Sequence, residues 1–364
     1  MNIFLYITIE KIYKEIIHIY PSMEIRRVQK TGGASYVITL PKEWVNSHHI
    51  QKNDPIGMIS QTDGTLLVTS QMSSTEKNRE KILNLTEQTN NTHLFRSLIA
   101  AYIAGYDTTK ITSTQRIKPQ IRTTIRNFTQ TTIGQEVVEE TDTTITIKDL
   151  LNPTEMPFDR TIKRMHIIIK NMHEDVLRAI EQNDKKLAQE IIDRDNDIDR
   201  LHWLIARQSN IISRNVSLAE KMNVTIESTT IFHLISKIVE RIGDHVAKIA
   251  DNALTIDNKH LTEELINNIH TTSDYAMQLF TRSITALLRR DIERANKTID
   301  DAKTLIKKCK ELNEYAQQER GENAIRLGYI LESTKRIGDY SADISENVIN
   351  YVIGKDEKQK SKTK

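Results

Sequence analysis

Beyond about residue 155 the apolar positions recur at spacings of three and four, the period of a helix that buries one face. Ile162, Met165, Ile169, Met172, Val176 and Ile180 set the first such run, over 159–182. Leu187, Ile191, Ile198 and Ile205 set a second over 185–212, and Ile231, Ile235, Ile238, Ile242 and Ile249 a third over 225–255. Asn183-Asp184 is the expected break between the first two, and Ser217-x-x-Glu220 a capping box in the next connection. Before residue 155 the pattern changes. Ile25, Val28, Tyr36, Val37, Ile38 and Leu40 lie in short strand-like runs, with a turn at Gly32-Gly33. Pro41-Lys42-Glu43-Trp44-Val45 opens a short helix with Pro in its first turn. Ile56 to Ile59, the turn Asp63-Gly64 and Leu66-Leu67-Val68 complete a hairpin, helix, hairpin order.

The helical pattern is duplicated. Glu240-Arg241-Ile242-Gly243-Asp244-His245 returns 95 residues later as Lys335-Arg336-Ile337-Gly338-Asp339-Tyr340, and each run closes on an asparagine, Asn252 and Asn347. Upstream, Asn183-Asp184-Lys185-Lys186-Leu187-Ala188 aligns with Arg290-Asp291-Ile292-Glu293-Arg294-Ala295 at an offset of 107, so the second copy is 12 residues shorter in its middle. Two tandem three-helix bundles are the economical reading. The expected organisation is an extension over 1–22, a β domain over 23–72, a small α/β connector over 73–152, bundle one over 153–256, bundle two over 260–354 and a Lys-rich tail over 355–364. The fold class is multidomain α+β. In the connector, helices are expected over His93–Gly105 and Pro119–Thr129, a strand over Lys110–Thr114, and a Thr-rich β segment over Val137–Ile147.

Composition narrows the class. A chain of 364 residues with 38% hydrophobic and 27% charged residues can build several cores and long solvated helices. The net charge of +2 selects no polyanionic partner globally, so any nucleic-acid contact must be local. A single cysteine, Cys309, excludes an internal disulfide framework and a Cys-rich zinc site. A cytoplasmic location is expected. Residues 1–20 are apolar-rich but carry Glu10, Lys11, Lys14 and Glu15, so they do not read as a membrane span. They read instead as an upstream extension, with the folded pattern starting at Met23; an amphipathic helix that touches a membrane or partner is the alternative. The β domain is small and apolar-poor, and pairing with a second chain is the expected remedy.

Arg26-Arg27-Val28-Gln29-Lys30-Thr31-Gly32-Gly33-Ala34-Ser35-Tyr36-Val37-Ile38-Thr39-Leu40-Pro41-Lys42-Glu43-Trp44 resembles the SpoVT-AbrB swapped-hairpin domain. That resemblance implies an intertwined homodimer whose basic β surface binds DNA. The family commonly has Gly-Asp where this chain has Asn53-Asp54. The duplicated Arg-Ile-Gly-Asp resembles the phosphate uptake regulator (PhoU) family, whose fold is a tandem pair of three-helix bundles; the combination of the two domains is typical of archaeal members.

The DNA-binding residues so implied are Arg26, Arg27, Lys30 and Lys42. Over 23–72 the positives are these four and Lys52, against Glu24, Glu43, Asp54 and Asp63, a net of +1 per chain. For four phosphate contacts the logarithmic salt slope would be about −3.6. Lys118, Arg122 and Arg126 recur every four residues and form a further basic stripe, whose bland reading is a solvated face.

Asp195 and Asp199 lie four apart on the second helix, with His202 three further on, and Glu240 and Asp244 lie four apart on the third. Like charges at this spacing repel by about 0.2–0.5 kcal/mol, a cost that a bridging cation would reverse. Carboxylate oxygens suit Mg, Mn or Fe, and Zn less selectively. The bland reading is a polar helix surface, since Glu240 and Asp244 fall opposite the apolar stripe and share a face with Lys237, Lys248 and Asp251. The PhoU resemblance implies iron or zinc clusters on paired acids of each bundle. Copy one keeps both pairs. Copy two has Lys335, Ala302 and Ile306 at the matching positions of Glu240, Asp195 and Asp199, leaving Asp339, with Asp343, as a degenerate site that Lys335 would neutralise.

Catalysis finds little support. A di-iron oxidase would need Glu-x-x-His on two helices, and the chain offers Asp199-x-x-His202 once. Cys309 lies among Lys307, Lys308 and Lys310 and reads as an ordinary surface thiol. The expectation is therefore a non-enzyme: a dimeric regulator of phosphate homeostasis that binds DNA, with bundles that receive the signal. The alternatives are an adaptor that docks on a phosphate transporter or its signalling partner, and a metal store or metalloenzyme.

Overall fold

A computed structural model describes residues 24–32, 35–60, 64–70, 78–256, 261–316 and 322–360. The extension over 1–22, Met23, Gly33, Asp63 and the last four residues of the tail lie outside the described residues. The chain divides between Thr75 and Glu76 into two compact units, close to the expected boundary at 72/73.

In the first unit, β1 (Gln29–Thr31) pairs antiparallel with β2 (Ser35–Val37), α1 spans Lys42–Ser47, and β3 (Gly57–Ser60) pairs with β4 (Leu66–Thr69). This is the order the sequence predicts. The two hairpins form separate two-stranded sheets, and Ile25, Val28, Tyr36, Val37, Ile38, Met58, Leu66 and Leu67 are all exposed. A single chain gives them no core. Asn53 adopts φ +73°; asparagine tolerates the left-handed region that glycine takes more cheaply, which accounts for its standing in a Gly-Asp turn.

The second unit opens with the connector. Its strands β5 (Glu80–Asn84), β6 (Thr108–Thr112), β7 (Gln135–Glu140) and β8 (Thr144–Asp149) form one sheet in the order β5-β6-β8-β7, with β5 and β6 parallel. Helices α2 (Asn91–Ile103) and α3 (Pro119–Thr131) cover one face, and Leu98, Tyr102, Ile111, Ile125, Phe128, Ile145 and Ile147 fill the core between. Both helices match expectation. The β segment expected over Val137–Ile147 is a hairpin that reverses at Thr141–Thr143, with a bulge between Val137 and Glu139. The strand expected over Lys110–Thr114 begins two residues earlier, and β5 was not foreseen because Glu80-Lys81-Ile82-Leu83-Asn84 is too short and polar to announce itself.

Helices α4 (Phe158–Gln182), α5 (Lys185–Ile212) and α7 (Ile226–Thr255) form bundle one, and α8 (Glu263–Arg289), α9 (Ile292–Ala316) and α10 (Glu322–Lys360) bundle two. Asn183 ends α4 in the left-handed conformation and Asp184 caps α5 by accepting from the Lys186 and Leu187 amides. Arg290 and Asp291 repeat both roles between α8 and α9. The capping box expected at Ser217-x-x-Glu220 is corrected: Asn215 caps a short α6 (Val216–Lys221), and the reciprocal box lies at Thr225 and Ser228.

The two glycines of the duplicated motif have one shared reason. A Cβ at Gly243 would lie 2.6 Å from Ile198 Cδ1 on α5, and one at Gly338 would collide with Leu305 Cδ2 on α9. Ile198 and Leu305 are separated by the same 107 residues that align the copies, so the structure repeats the alignment in space. One equivalent pair and two offset pairs meet across the junction of the bundles. His245 on α7 and Tyr340 on α10 lie 5.7 Å apart, while His173 and His166 on α4 pair with Ser273 and Thr281 on α8 at 2.7 and 3.0 Å. These contacts fit a pseudo-two-fold axis between the copies, and one continuous hydrophobic core runs through both.

Candidate functional site

The close approach at Gly243 decides where the acids go. It brings α5 against the very face of α7 that carries Glu240 and Asp244, which corrects the expectation that this face meets water. Glu240 is 8% exposed. Asp195, Asp199, Glu240 and Asp244 converge, and each of the two aspartates on α5 feels the acids of α7. Burial, then the neighbouring carboxylates of Asp244, Asp199 and Glu240, pushes Asp195 up to about 7. The same causes raise Asp199 to about 6, opposed by Lys237. Asp195 Oδ1 and Glu240 Oε2 are buried with no hydrogen-bond partner. Glu240 Oε1 accepts from Lys237 Nζ at 2.6 Å. Among the described residues, no three His, Cys, Asp or Glu side chains stand in a ready-made metal ligand set.

His202 does not join the acids. Its Nδ1 lies 3.0 Å from Ser236 Oγ, its ring stacks on His233, and burial depresses it to about 3, so it stays neutral. Asp339, the expected fifth acid, is not brought to the cluster. It lies on α10 beside Lys335 and Arg336, the latter 3.7 Å away; burial raises its carboxyl and both cations oppose the shift. Asp343, its suggested companion, is raised by burial and by Glu346. Ala302 is buried and Ile306 exposed where copy one has Asp195 and Asp199. Cys309 occupies the place of His202. It is 3% exposed and burial drives its thiol up to about 12, which corrects the expectation of a surface thiol.

In the first unit, Arg26, Arg27, Lys30 and Lys42 are all exposed, the first three on or beside the β1–β2 hairpin and Lys42 at the start of α1. Arg26 pairs with Glu24; the other three have no ion-pair partner among the described residues. The stripe of α3 is structural. Arg122 pairs with Glu140 and donates to the Thr141 carbonyl at 2.7 Å, and Arg126 Nη2 approaches the same Glu140 at 3.9 Å. Those charges hold the β7–β8 turn.

Sequence reasoning missed Arg207. At 2% exposure it is among the largest buried side chains. It donates to the carbonyls of Tyr102 and Tyr106 at 2.6 and 3.0 Å and pairs with Asp149 at 2.5 Å. Asn210 on the same helix and Arg214 just past its end add bonds to the carbonyls of Ile103 and Ala104. These are carbonyls at the C-terminal end of α2, where cations and donors are favoured. An arginine inside an otherwise apolar run, Leu204-Ile205-Ala206-Arg207, was the available signal. Helix α5 thus carries two acids of the cluster about its middle and the connector clamp towards its C-terminal end.

With this geometry in hand, the comparisons fall on the expected segments. The family model described as PhoU domain matches residues 162–253 and 269–348, and that described as antidote-toxin recognition MazE, bacterial antitoxin, matches 29–76. Relatives include a protein named phosphate-specific transport system accessory protein PhoU homolog from Clostridium acetobutylicum, 24% identical over 53% of this chain and 89% of its own. A protein of the same name from Pseudomonas putida is 28% identical over 52% and 75%. Among solved structures, PhoU from Streptococcus pneumoniae aligns over 54% of this chain and 92% of its own, at 19% identity and a TM-score of 0.47. PhoU from Pseudomonas aeruginosa aligns over 54% and 95%, at 20% identity and 0.46. Two tandem PhoU domains, matched over 162–253 and 269–348, thus follow an N-terminal domain of the SpoVT-AbrB and MazE type.

Proposed function

We propose that this protein regulates phosphate uptake as a cytoplasmic homodimer. In this reading the N-terminal domain clasps two chains and grips DNA, while the PhoU bundles receive a cation-linked signal. The observation that carries the regulatory part is the match of both bundles to PhoU domains, together with relatives named as accessory proteins of phosphate-specific transport. Dimerisation is supported by the exposed apolar side chains of the first unit, which a single chain leaves without a core. DNA binding is supported by the exposed Arg27, Lys30 and Lys42 beside them. A salt-dependent gel shift with promoter DNA tests it: neutralising Arg26 and Arg27 abolishes the shift if the patch is correctly named. Chromatin pull-down with sequencing, in phosphate-rich and phosphate-starved cells, identifies the promoters.

Asp195, Asp199, Glu240 and Asp244 are the residues that would hold Fe, Zn, Mn or Mg. Two buried carboxylate oxygens without partners and two carboxyls held above their ordinary range are what such a group would relieve. The metal would supply positive charge that pins α5 to α7. Asp339 would belong to a second, degenerate set that carries its own lysine and arginine. The competing reading is an adaptor that docks on a phosphate transporter or its signalling partner without touching DNA. Pairing of Arg26 with Glu24, which lowers the free positive charge, favours it. The absence of any salt-sensitive shift with promoter DNA would select the adaptor.

A further inference from the structure

Lys237 stands three residues before Glu240 on α7, and its ammonium touches Glu240 Oε1 at 2.6 Å. The two ends of this pair differ. The lysine side chain is 44% exposed and the glutamate side chain 10%, so the cation can swing into water while the acid stays fixed. Only one glutamate oxygen is occupied; Oε2 is buried without a partner, as is Asp195 Oδ1. One ammonium against four carboxylates leaves the cluster undercompensated.

Bundle two holds the same pair with its polarity reversed. Glu332 and Lys335 replace Lys237 and Glu240, with Lys335 Nζ 3.4 Å from Glu332 Oε2. There the lysine occupies the position of the acid itself, and the facing helix presents Ala302 and Ile306 instead of aspartates. Of the paired acids only Asp339 remains beside Lys335, and a lysine at the acid's own position cannot uncover a glutamate for a metal. A lysine one turn away can.

We infer that Lys237 is the resident counter-ion of the cluster, an internal cation that a divalent metal must displace from Glu240 and that sets the affinity of the site. This rests on reading the cluster as a cation site. A compact ammonium on a flexible stem suits the role, because it gives up one charge-assisted hydrogen bond without disturbing the helix.

Full-length protein stripped by a chelator is titrated with Mn2+ and Zn2+ by calorimetry, for the wild type and for K237M, K237Q, K335M, E240Q and D195N. Loss of one charge-assisted bond as competitor corresponds to about tenfold tighter Mn2+ binding in K237M and K237Q, with K335M unchanged within about twofold. Acetic anhydride labelling read by mass spectrometry is the second measurement: saturating Zn2+ raises the labelling rate of Lys237 several-fold, and leaves that of Lys335 unchanged. Equal or weaker binding in both Lys237 variants, with binding still lost in E240Q and D195N, overturns the counter-ion role alone. Binding that survives in E240Q and D195N, or no binding by any variant, overturns the cation site and this inference with it.

Discussion

The two bundles share a backbone plan and differ in many of their polar choices. Asp175 and Arg194 pair at 2.6 Å between α4 and α5, and Arg282 and Asp301 pair at 2.6 Å between α8 and α9, the same positions with the charges exchanged. Lys237 and Glu240 are exchanged for Glu332 and Lys335 in the same manner. Where bundle one gathers four acids and a neutral histidine, bundle two has alanine, isoleucine and a buried cysteine. Where bundle one sends Arg207 into the connector, bundle two has an exposed Glu314. What survives duplication is what packing demands: the close-approach glycines, the buried Ile242 and Ile337, the asparagines whose side chains donate to the carbonyl four residues back. Geometry is held in common while chemistry is confined to one copy.

Removing the connector clamp is the most severe way to test that division. Arg207→Ala leaves Asp149 and two carbonyls buried without their donor, and a broken buried pair costs about 3–5 kcal/mol. Glu314→Ala, at the equivalent exposed position, stays within about 0.5 kcal/mol. Urea denaturation of both variants reads the contrast, and equal effects would show the asymmetry to be irrelevant to stability.

Acid comes next. His173 of copy one is buried against Ser273 of copy two, and burial lowers it to about 4. The unfolded chain binds that proton near pH 6.5 and the folded one does not, so stability falls as pH drops from 6.5 towards 4, by about 3 kcal/mol for this group. His173→Gln, which keeps a polar contact with Ser273, flattens that limb of the pH–stability curve. A curve that stays as steep in the variant would remove His173 as its source.

Asp195 acts in the opposite sense. Its folded pKa is raised, so the stability it offers is present in acid and is lost as pH rises from about 4 to about 7. In chelator-treated protein at pH 7.5, Asp195→Asn therefore stabilises by about 1–2 kcal/mol, an amount already reduced for solvent screening. Saturating metal reverses the order, since the variant has lost a ligand. Thermal unfolding with and without Mn2+ separates the two regimes.

The smallest effect concerns the exchanged ion pairs. A double-mutant cycle on Asp175 and Arg194 gives a coupling of about 0.5–1 kcal/mol, and the reversed double variant Asp175→Arg with Arg194→Asp, which imitates bundle two, recovers wild-type stability. Failure to recover would mean that the surroundings of each bundle have adapted to one polarity.

Much of this was written in the chain. Helix limits in bundle one followed from apolar spacing to within a residue, because each helix buries one continuous stripe and ends at residues that suit caps, Asn183 and Asp184. The duplication was legible since Gly243 and Gly338 cannot be changed without pushing helices apart. The four acids were legible as two pairs on two helices. Their meeting was not, because a helical wheel knows only one partner face, and α7 has neighbours on several sides. Glu240 was assigned to water on that account, Cys309 was placed on the surface by its lysine neighbours, and Arg207 passed unnoticed. Sequence determined the periodicity, the breaks and which copy retains the carboxylates. Tertiary structure alone decided burial, since whether a polar side chain meets water or another helix depends on what packs against it from elsewhere in the chain.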